Sequence, residues 1–147
     1  MSCYHLVKTV FKDQECLVNA LKEVKVGCEA VEVEVHSTPQ QLFDYQGRPT
    51  RYTNANGDKA NIIVRRQHVR GAANDVGFSL NADGTYSAVL SEYDQRTACT
   101  PSWVLALTNK YNRLVVAKAM KAAGFVGATK KVNGSKTAVN YLKVGGR

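Results

Sequence analysis

The sequence predicts an α+β fold with two helices packed on a mostly antiparallel sheet. Three observations support this class. Short segments rich in β-branched and aromatic residues recur, two longer segments carry the apolar stripe of an amphipathic helix, and Asp-Gly or Asn-Gly pairs mark hairpin turns. A length of 147 residues suits one domain. We therefore expect a single domain over residues 1–147, as a variant of the ferredoxin-like arrangement with an inserted loop.

The N-terminal part of the chain predicts a strand followed by a helix. Residues 3–11 are rich in aromatic and β-branched side chains, which is typical of a strand. Asp13 is a good N-cap, and Glu15 lies in the first turn of the helix that follows. The apolar stripe of this helix consists of Cys16, Leu17, Ala20, Leu21 and Val24. We expect the helix to end near Gly27.

Residues 31–35 predict a second strand, because valines alternate with glutamates. The valines are expected to face the core, and Glu32 and Glu34 to share the solvent face. The simplest role for these two carboxylates is cross-strand pairing with arginines such as Arg65 or Arg66.

Residues 37–60 are the least regular part of the sequence. Pro39, Gly47, Pro49 and the turn-forming residues 54–58 interrupt every periodic pattern. We expect a long loop or an irregular hairpin, and loops of this length are often functional. Three further strands are predicted over residues 61–69, 76–80 and 85–93.

The second helix is expected to run from Thr100 to about Ala123. Thr100 is suited to the N-cap because a proline follows it at the first helical position, and Gly124 closes the helix. Its core-facing stripe consists of Trp103, Val104, Leu107, Tyr111, Leu114 and Val115. Leu105, Val116 and Met120 lie on another side, which predicts a second apolar strip covered by the long loop or by another chain.

A hairpin is expected to end the fold. Residues 126–132 and 137–144 flank Asn133-Gly134, a pair that suits a type I′ turn.

Three short strings resemble a known family. They are His5-Leu6-Val7-Lys8-Thr9, Asp75-Val76-Gly77-Phe78 and Gly84-Thr85-Tyr86, and Lys110-Tyr111 adds a weaker match. The chain is similar to small proteins of unknown function encoded in cyanobacteria and algal plastid genomes, with relatives in bacteriophages. The resemblance covers most of the chain, with residues 37–60 as an insertion. It implies no established activity, cofactor or site residue.

The cysteines and the lack of a long apolar run indicate the compartment. Cys3, Cys16, Cys28 and Cys99 are widely scattered, unlike a disulfide framework or the close pairs of a metal site. No apolar run approaches the ~20 residues that cross a bilayer, and the first residues lack a signal-peptide pattern. We expect reduced thiols, no membrane association and a cytoplasmic location, which is the host cytoplasm if the protein is phage-encoded.

The sequence contains no recognisable catalytic or metal-binding pattern. His5, His36 and His68 are too far apart to form a close ligand pair, and we interpret them as strand histidines. Residues 134–137 resemble a fragment of a phosphate-binding loop, but they belong to the predicted final hairpin, where no helix N-terminus follows. We therefore predict no catalytic residue, no metal site and no cofactor.

The charge is strongly asymmetric. The formal net charge is +8, from 20 Lys and Arg against 12 Asp and Glu, yet residues 95–147 contain ten basic residues and no acidic one. Such a surface favours polyanionic partners. The predicted nucleic-acid-binding residues are Lys110, Arg113, Lys121, Lys130, Lys131, Tyr141, Lys143, Arg65, Arg66 and Arg70. Arg48, Arg51 and Tyr52 add a further cation-aromatic cluster in the long loop.

Three function classes follow in order of preference. The first is a non-enzymatic accessory protein that binds nucleic acid or a nucleoprotein complex through the basic C-terminal third. The second is a protein-interaction subunit or an inhibitor of a host protein, whose partner covers Leu105, Val116 and Met120. The third is a small enzyme with a site assembled from residues distant in sequence.

Overall fold

The computed structural model describes residues 3–26, 31–71, 73–132 and 136–143, and over residues 125–143 it describes the backbone. Two compact units divide the chain. We refer to Met1–Tyr111 as the N-terminal unit and to Asn112–Arg147 as the C-terminal unit.

The N-terminal unit is built on a five-stranded sheet in which all neighbouring strands are antiparallel. The strands are β1 (Tyr4–Lys8), β2 (Glu34–Gln41), β3 (Lys59–Val64), β4 (Val76–Leu80) and β5 (Tyr86–Ser91), and their order in the sheet is β1-β5-β4-β3-β2. Strands β2 to β5 thus form a meander, and β1 adds to its far edge. This sheet and the helices confirm the predicted α+β class, whereas the ferredoxin-like arrangement is not confirmed.

Helix α1 (Gln14–Glu23) follows β1 and packs through the predicted apolar stripe. The Asp13 carboxylate accepts a hydrogen bond from the Cys16 backbone N–H at 2.9 Å, which confirms Asp13 as the N-cap. Leu17, Ala20 and Leu21 are fully buried. The stripe therefore fixes which side of α1 meets the sheet.

Helix α3 (Pro101–Ala122) packs its first half on the same side of the sheet. The Phe11 ring contacts Tyr111 edge-on at 4.8 Å and Phe78 of β4 at 6.1 Å. The Tyr111 hydroxyl accepts hydrogen bonds from the backbone N–H groups of Lys12 and Asp13. Thr100 caps the helix, since its hydroxyl accepts from the Trp103 N–H at 3.2 Å. The N-terminus predicted for this helix is confirmed.

A cluster of buried residues lies on the face of the sheet opposite Phe78, where the β2–β3 connection folds over the sheet. Tyr4, Leu42, Ala60, Ile63 and Val89 form this cluster. Close approach of the connection requires glycine in β4, because a Cβ at Gly77 would lie 2.6 Å from the Ala60 Cβ and 3.0 Å from Leu42 Cδ1. The connection is an irregular hairpin with a Phe43–Pro49 bridge, one of the two forms expected for residues 37–60.

Three local predictions are wrong. Strand β2 begins at Glu34, and Val35 is 43% exposed rather than buried, because β2 is an edge strand of the sheet, although Val35 pairs with buried Ile62. The strand predicted over residues 61–69 ends at Val64 and gives way to a 3-10 turn over Arg66–His68. The strand predicted to reach Tyr93 ends at Ser91, which caps the short helix α2 (Glu92–Arg96).

The C-terminal unit contains the second half of α3 and the predicted final hairpin. Strands β6 (Phe125–Val132) and β7 (Lys136–Lys143) pair in antiparallel register from Phe125↔Lys143 to Val132↔Lys136. The predicted Asn133-Gly134 turn lies outside the described residues.

Candidate nucleic-acid interface

The division into units sharpens the charge asymmetry. The N-terminal unit carries twelve basic and twelve acidic residues, whereas the C-terminal unit carries eight basic residues and no acidic one. The entire net charge of +8 therefore belongs to residues 112–147. A positive potential of this kind acts on polyanions irrespective of their sequence.

The basic residues predicted to bind nucleic acid in the C-terminal unit lie on a helix and on two strands. Arg113 and Lys121 are exposed on α3. Lys130 and Lys131 belong to β6, and Tyr141 and Lys143 belong to β7. The side chains of these four hairpin residues lie outside the described part of the chain.

The hairpin register divides these positions into two alternating sets. Residues directly paired across an antiparallel ladder share a face, and the face alternates along each strand. Lys131, Tyr141 and Lys143 belong to one set through the pairs Lys131↔Thr137, Gly127↔Tyr141 and Phe125↔Lys143. Lys130 belongs to the other set, through Lys130↔Ala138. Cations and an aromatic residue thus share one set of positions.

One of the predicted helix lysines, Lys110, has an acidic partner. Lys110 Nζ lies 2.5 Å from the Glu23 carboxylate at the end of α1, and the lysine side chain is one-third exposed. Glu23 therefore offsets the charge of Lys110, because the two helices bring this acidic residue beside it.

Arg65 is the centre of an ion-pair network. Its guanidinium donates two hydrogen bonds to Glu34, at 2.9 and 3.0 Å, and one to Asp75 at 2.9 Å. The Asp75 carboxylate also accepts from the backbone N–H groups of Phe43 and Arg66. Hydrogen bonds from Arg65, opposed by burial, lower the pKa of Glu34. The predicted pairing of Glu34 with Arg65 is confirmed, and two carboxylates offset the charge of this arginine.

Arg66 and Arg70 bond to carbonyl groups instead of carboxylates. Arg66 Nη1 donates to the Asp44 carbonyl at 2.8 Å, and its guanidinium lies over Gly47. Arg70 is exposed and donates to the Thr97 carbonyl at 3.0 Å. Both guanidinium groups lie in the N-terminal unit, in which acidic and basic residues are equal in number.

The long hairpin presents a groove between its own residues. Its volume is about 290 Å³, and it is lined by Asp44, Arg48, Pro49, Thr50, Arg51 and Tyr52. Tyr52 is 40% exposed and Arg51 is exposed. This groove joins two guanidinium groups and an aromatic ring.

A buried carboxylate holds the hairpin in shape. Asp58, which is fully buried, accepts hydrogen bonds from the backbone N–H groups of Tyr52, Thr53 and Asn54 and from the Thr53 hydroxyl. Burial alone would raise the pKa of Asp58, but bonds from Thr53 and Tyr52 lower it below the usual value. The Gln41 side-chain amide adds bonds to the carbonyls of Leu42, Thr50 and Asp58.

Asp94 is another buried carboxylate, and sequence analysis did not predict its role. It lies in α2, and its Oδ1 has no hydrogen-bond partner among the described residues, while Oδ2 accepts from the Asn74 N–H at 3.2 Å. Burial raises the pKa of Asp94 to about 6, against hydrogen bonds from Ser91 and Asn74 that lower it. The Ser91-x-x-Asp94 spacing of a helix N-terminus was the available signal.

The described residues contain no group of three or more His, Cys, Asp or Glu side chains that could hold a metal ion. Cys3, Cys16 and Cys99 are thiols, the last two buried, and Cys28 lies outside the described residues. No described helix is both long and apolar enough to span a membrane.

Comparison with known proteins identifies a family and no activity. No curated protein and no solved structure matches the chain. A family model described as "Protein of unknown function (DUF1257)" matches residues 28–139, a range that contains the strings at 75–78, 84–86 and 110–111 but excludes β1 and α1. Because this match covers most of the chain, the protein belongs to the DUF1257 family of proteins of unknown function.

Proposed function

We propose that this protein is a non-enzymatic accessory protein that binds nucleic acid or a nucleoprotein complex through its C-terminal unit. One observation carries the proposal: residues 112–147 hold eight basic side chains and no acidic one, while the rest of the chain is balanced. A short segment of this charge attracts the phosphate backbone wherever its lysines and arginines reach it.

The physical basis is the release of counterions. Each lysine or arginine that neutralises a phosphate frees a condensed cation, so log affinity falls linearly with log salt concentration, by about 0.7 per contact on a single strand. The residues that we assign to phosphates are Arg113, Lys121, Lys130, Lys131 and Lys143. Tyr141 shares its hairpin set with Lys131 and Lys143, which supports base stacking beside those contacts.

The test is the salt dependence of binding to fluorescent RNA and DNA strands. Replacing Lys130 and Lys131 together by Glu should weaken binding and flatten the salt slope. The matched control is the double replacement of Lys22 and Lys25 by Glu, because both are exposed and belong to the N-terminal unit, and the change in net charge is identical.

Two results would contradict the proposal. One is a wild-type protein that binds no single strand or duplex at low ionic strength. The other is an equal loss of affinity in the control and in the C-terminal variant, because the effect would then follow net charge rather than the C-terminal unit.

A second candidate function, protein interaction, is favoured by an apolar groove in the N-terminal unit. Its lining includes Val7, Leu90, Pro101, Val104 and Leu105, its volume is about 440 Å³, and Leu105 is 61% exposed. The partner we test is a second copy of the chain. A dimer in sedimentation that Leu105→Asp converts to a monomer would support this function, and a monomeric wild type would oppose it.

We also propose in which organisms the protein originates and in which cellular compartment it is found. The resemblance of residues 5–9, 75–78 and 84–86 supports an origin in cyanobacteria, algal plastids or their bacteriophages. The thiols of Cys3, Cys16 and Cys99 support a reducing compartment, since disulfides persist in oxidising ones.

A further inference from the structure

The groove of the β2–β3 hairpin has the composition of a base-binding site. The residues that line it include the aromatic residue Tyr52 and the two arginines Arg48 and Arg51. Stacking on an aromatic ring and neutralisation of the neighbouring phosphate are the two contacts by which proteins hold unpaired bases.

The groove is organised before any ligand arrives. Asp58 fixes the backbone on both sides of Thr53, and the Tyr52 ring lies 6.5 Å from the ring of Tyr4, a buried residue of β1. Tyr4 supports one side of the Tyr52 ring, yet 40% of Tyr52 remains exposed. A ring held in this way loses little conformational entropy on binding.

One exposed arginine of the groove, Arg51, favours an anion, and two carboxylates lie nearby. Asp58 is fully buried and bonded to the hairpin backbone, and Asp44 is 9% exposed and bonded to Gln46, Arg48 and the Arg48 guanidinium. Asp44 lines the groove and offsets the charge of Arg48 through a 3.1 Å ion pair, whereas Asp58 is enclosed by the hairpin backbone. Arg51 is exposed and is the cation that remains for an anion in the groove.

The dimensions suit one base. The groove volume of about 290 Å³ is close to the lower limit of roughly 300 Å³ for small-ligand pockets. A groove of this size is too small for a dinucleotide cofactor. In a duplex the faces of the bases are stacked on one another, so only an unpaired base can enter beside Tyr52.

From these observations we infer that the Tyr52–Arg51 groove binds an unpaired base and its phosphate, so that the protein prefers single-stranded over double-stranded nucleic acid. This inference rests on the proposed function and adds a contact in the N-terminal unit to those of the C-terminal unit.

The test compares binding of a single strand of roughly 12 nucleotides, within the site sizes of single-strand binders, with binding of the duplex of equal length. Tyr52→Leu keeps apolar contact with Tyr4 but removes the ring, and Tyr52→Phe retains the ring. Tyr45→Leu is the matched control, because Tyr45 is 45% exposed in the same hairpin and does not line the groove.

We expect Tyr52→Leu to weaken single-strand binding roughly 5- to 100-fold and to leave duplex binding within about twofold. Tyr52→Phe and Tyr45→Leu should bind both probes like the wild type. If Tyr52→Leu fails to fold, the test compares Arg51→Gln with the control Arg96→Gln. Arg96 is an exposed arginine that does not line the groove. We expect Arg51→Gln to weaken single-strand binding more than Arg96→Gln does.

The outcomes separate this inference from the proposed function. A wild type that binds the single strand while Tyr52→Leu and Tyr45→Leu behave alike would overturn the groove inference and leave the C-terminal interface standing. Equal affinity of the wild type for the single strand and for the duplex would also overturn the groove inference and leave the C-terminal interface standing. A wild type that binds neither probe overturns the proposed function, and the groove inference with it.

Discussion

Replacement of Asp94 by Asn tests whether the buried carboxylate of α2 destabilises the fold at neutral pH. The side chain is fully buried, and Oδ1 has no hydrogen-bond partner within the described residues. Asn has nearly the same shape, retains an oxygen that accepts from the Asn74 N–H, and does not ionise. The variant therefore removes the charge while leaving the packing almost unchanged.

The magnitude follows from the pKa. Burial raises the pKa of Asp94 from 3.8 to about 6 in the folded state. Between these values the folded protein keeps a proton that the unfolded chain releases, so the free energy of unfolding falls as pH rises through this window. Two pKa units correspond to about 3 kcal/mol. The new amide needs partners of its own, so we expect Asp94→Asn to stabilise the fold by about 1–3 kcal/mol at pH 7.

The assay is urea unfolding of both proteins from acidic to neutral pH. The stabilisation by Asp94→Asn should be absent below the unfolded-state pKa, grow as pH rises toward 6, and then stay constant. Asp83→Asn serves as the control, because Asp83 is exposed and hydrogen bonds from Thr85 lower its pKa. A difference between wild type and Asp94→Asn that is the same at every pH would refute the reasoning.

Two packing predictions complete the set. Gly77→Ala should destabilise the protein by about 1–3 kcal/mol, because its Cβ would lie 2.6 Å from the Ala60 Cβ; an unchanged urea midpoint would mean that β3 moves away freely. Tyr111→Phe should cost about 1–3 kcal/mol, because the N–H groups of Lys12 and Asp13 lose the hydroxyl oxygen that accepts from both; an unchanged melting temperature would indicate that water replaces it.

Local patterns predicted the local parts of the fold. The Asp13 and Thr100 caps, strand β4 and the final hairpin follow from residues close together in sequence, and the structure has them where expected. Helix capping and turn formation depend on two to four neighbouring residues, so these elements can be predicted without information about tertiary contacts.

The errors arose where a distant residue decides the outcome. Alternation in residues 31–35 predicted buried valines, but β2 lies at the edge of the sheet, so Val35 remains 43% exposed even though it pairs with buried Ile62. Likewise, Asp75 accepts from the backbone of Phe43, thirty-two positions away, and from the Arg66 N–H where β3 has ended. Periodicity contains no information about such partners.

The candidate interface was predictable only in part. The excess of positive charge is a property of composition, so counting residues found it. Compensation of Lys110 by Glu23 depends on two helices meeting, and the shape of the Tyr52 groove depends on buried Asp58. The alternating sets that separate Lys130 from Lys131 required the hairpin register.

The position of β1 in the sheet has a consequence for synthesis on the ribosome. Strands β2 to β5 pair with sequence neighbours, but Tyr4 of β1 pairs with Ser91 of β5. At usual translation rates the chain between these residues takes on the order of 10 s to emerge. The first strand must therefore wait as an unpaired, partly apolar segment until β5 is complete, and its docking is expected to be the last step in forming the sheet.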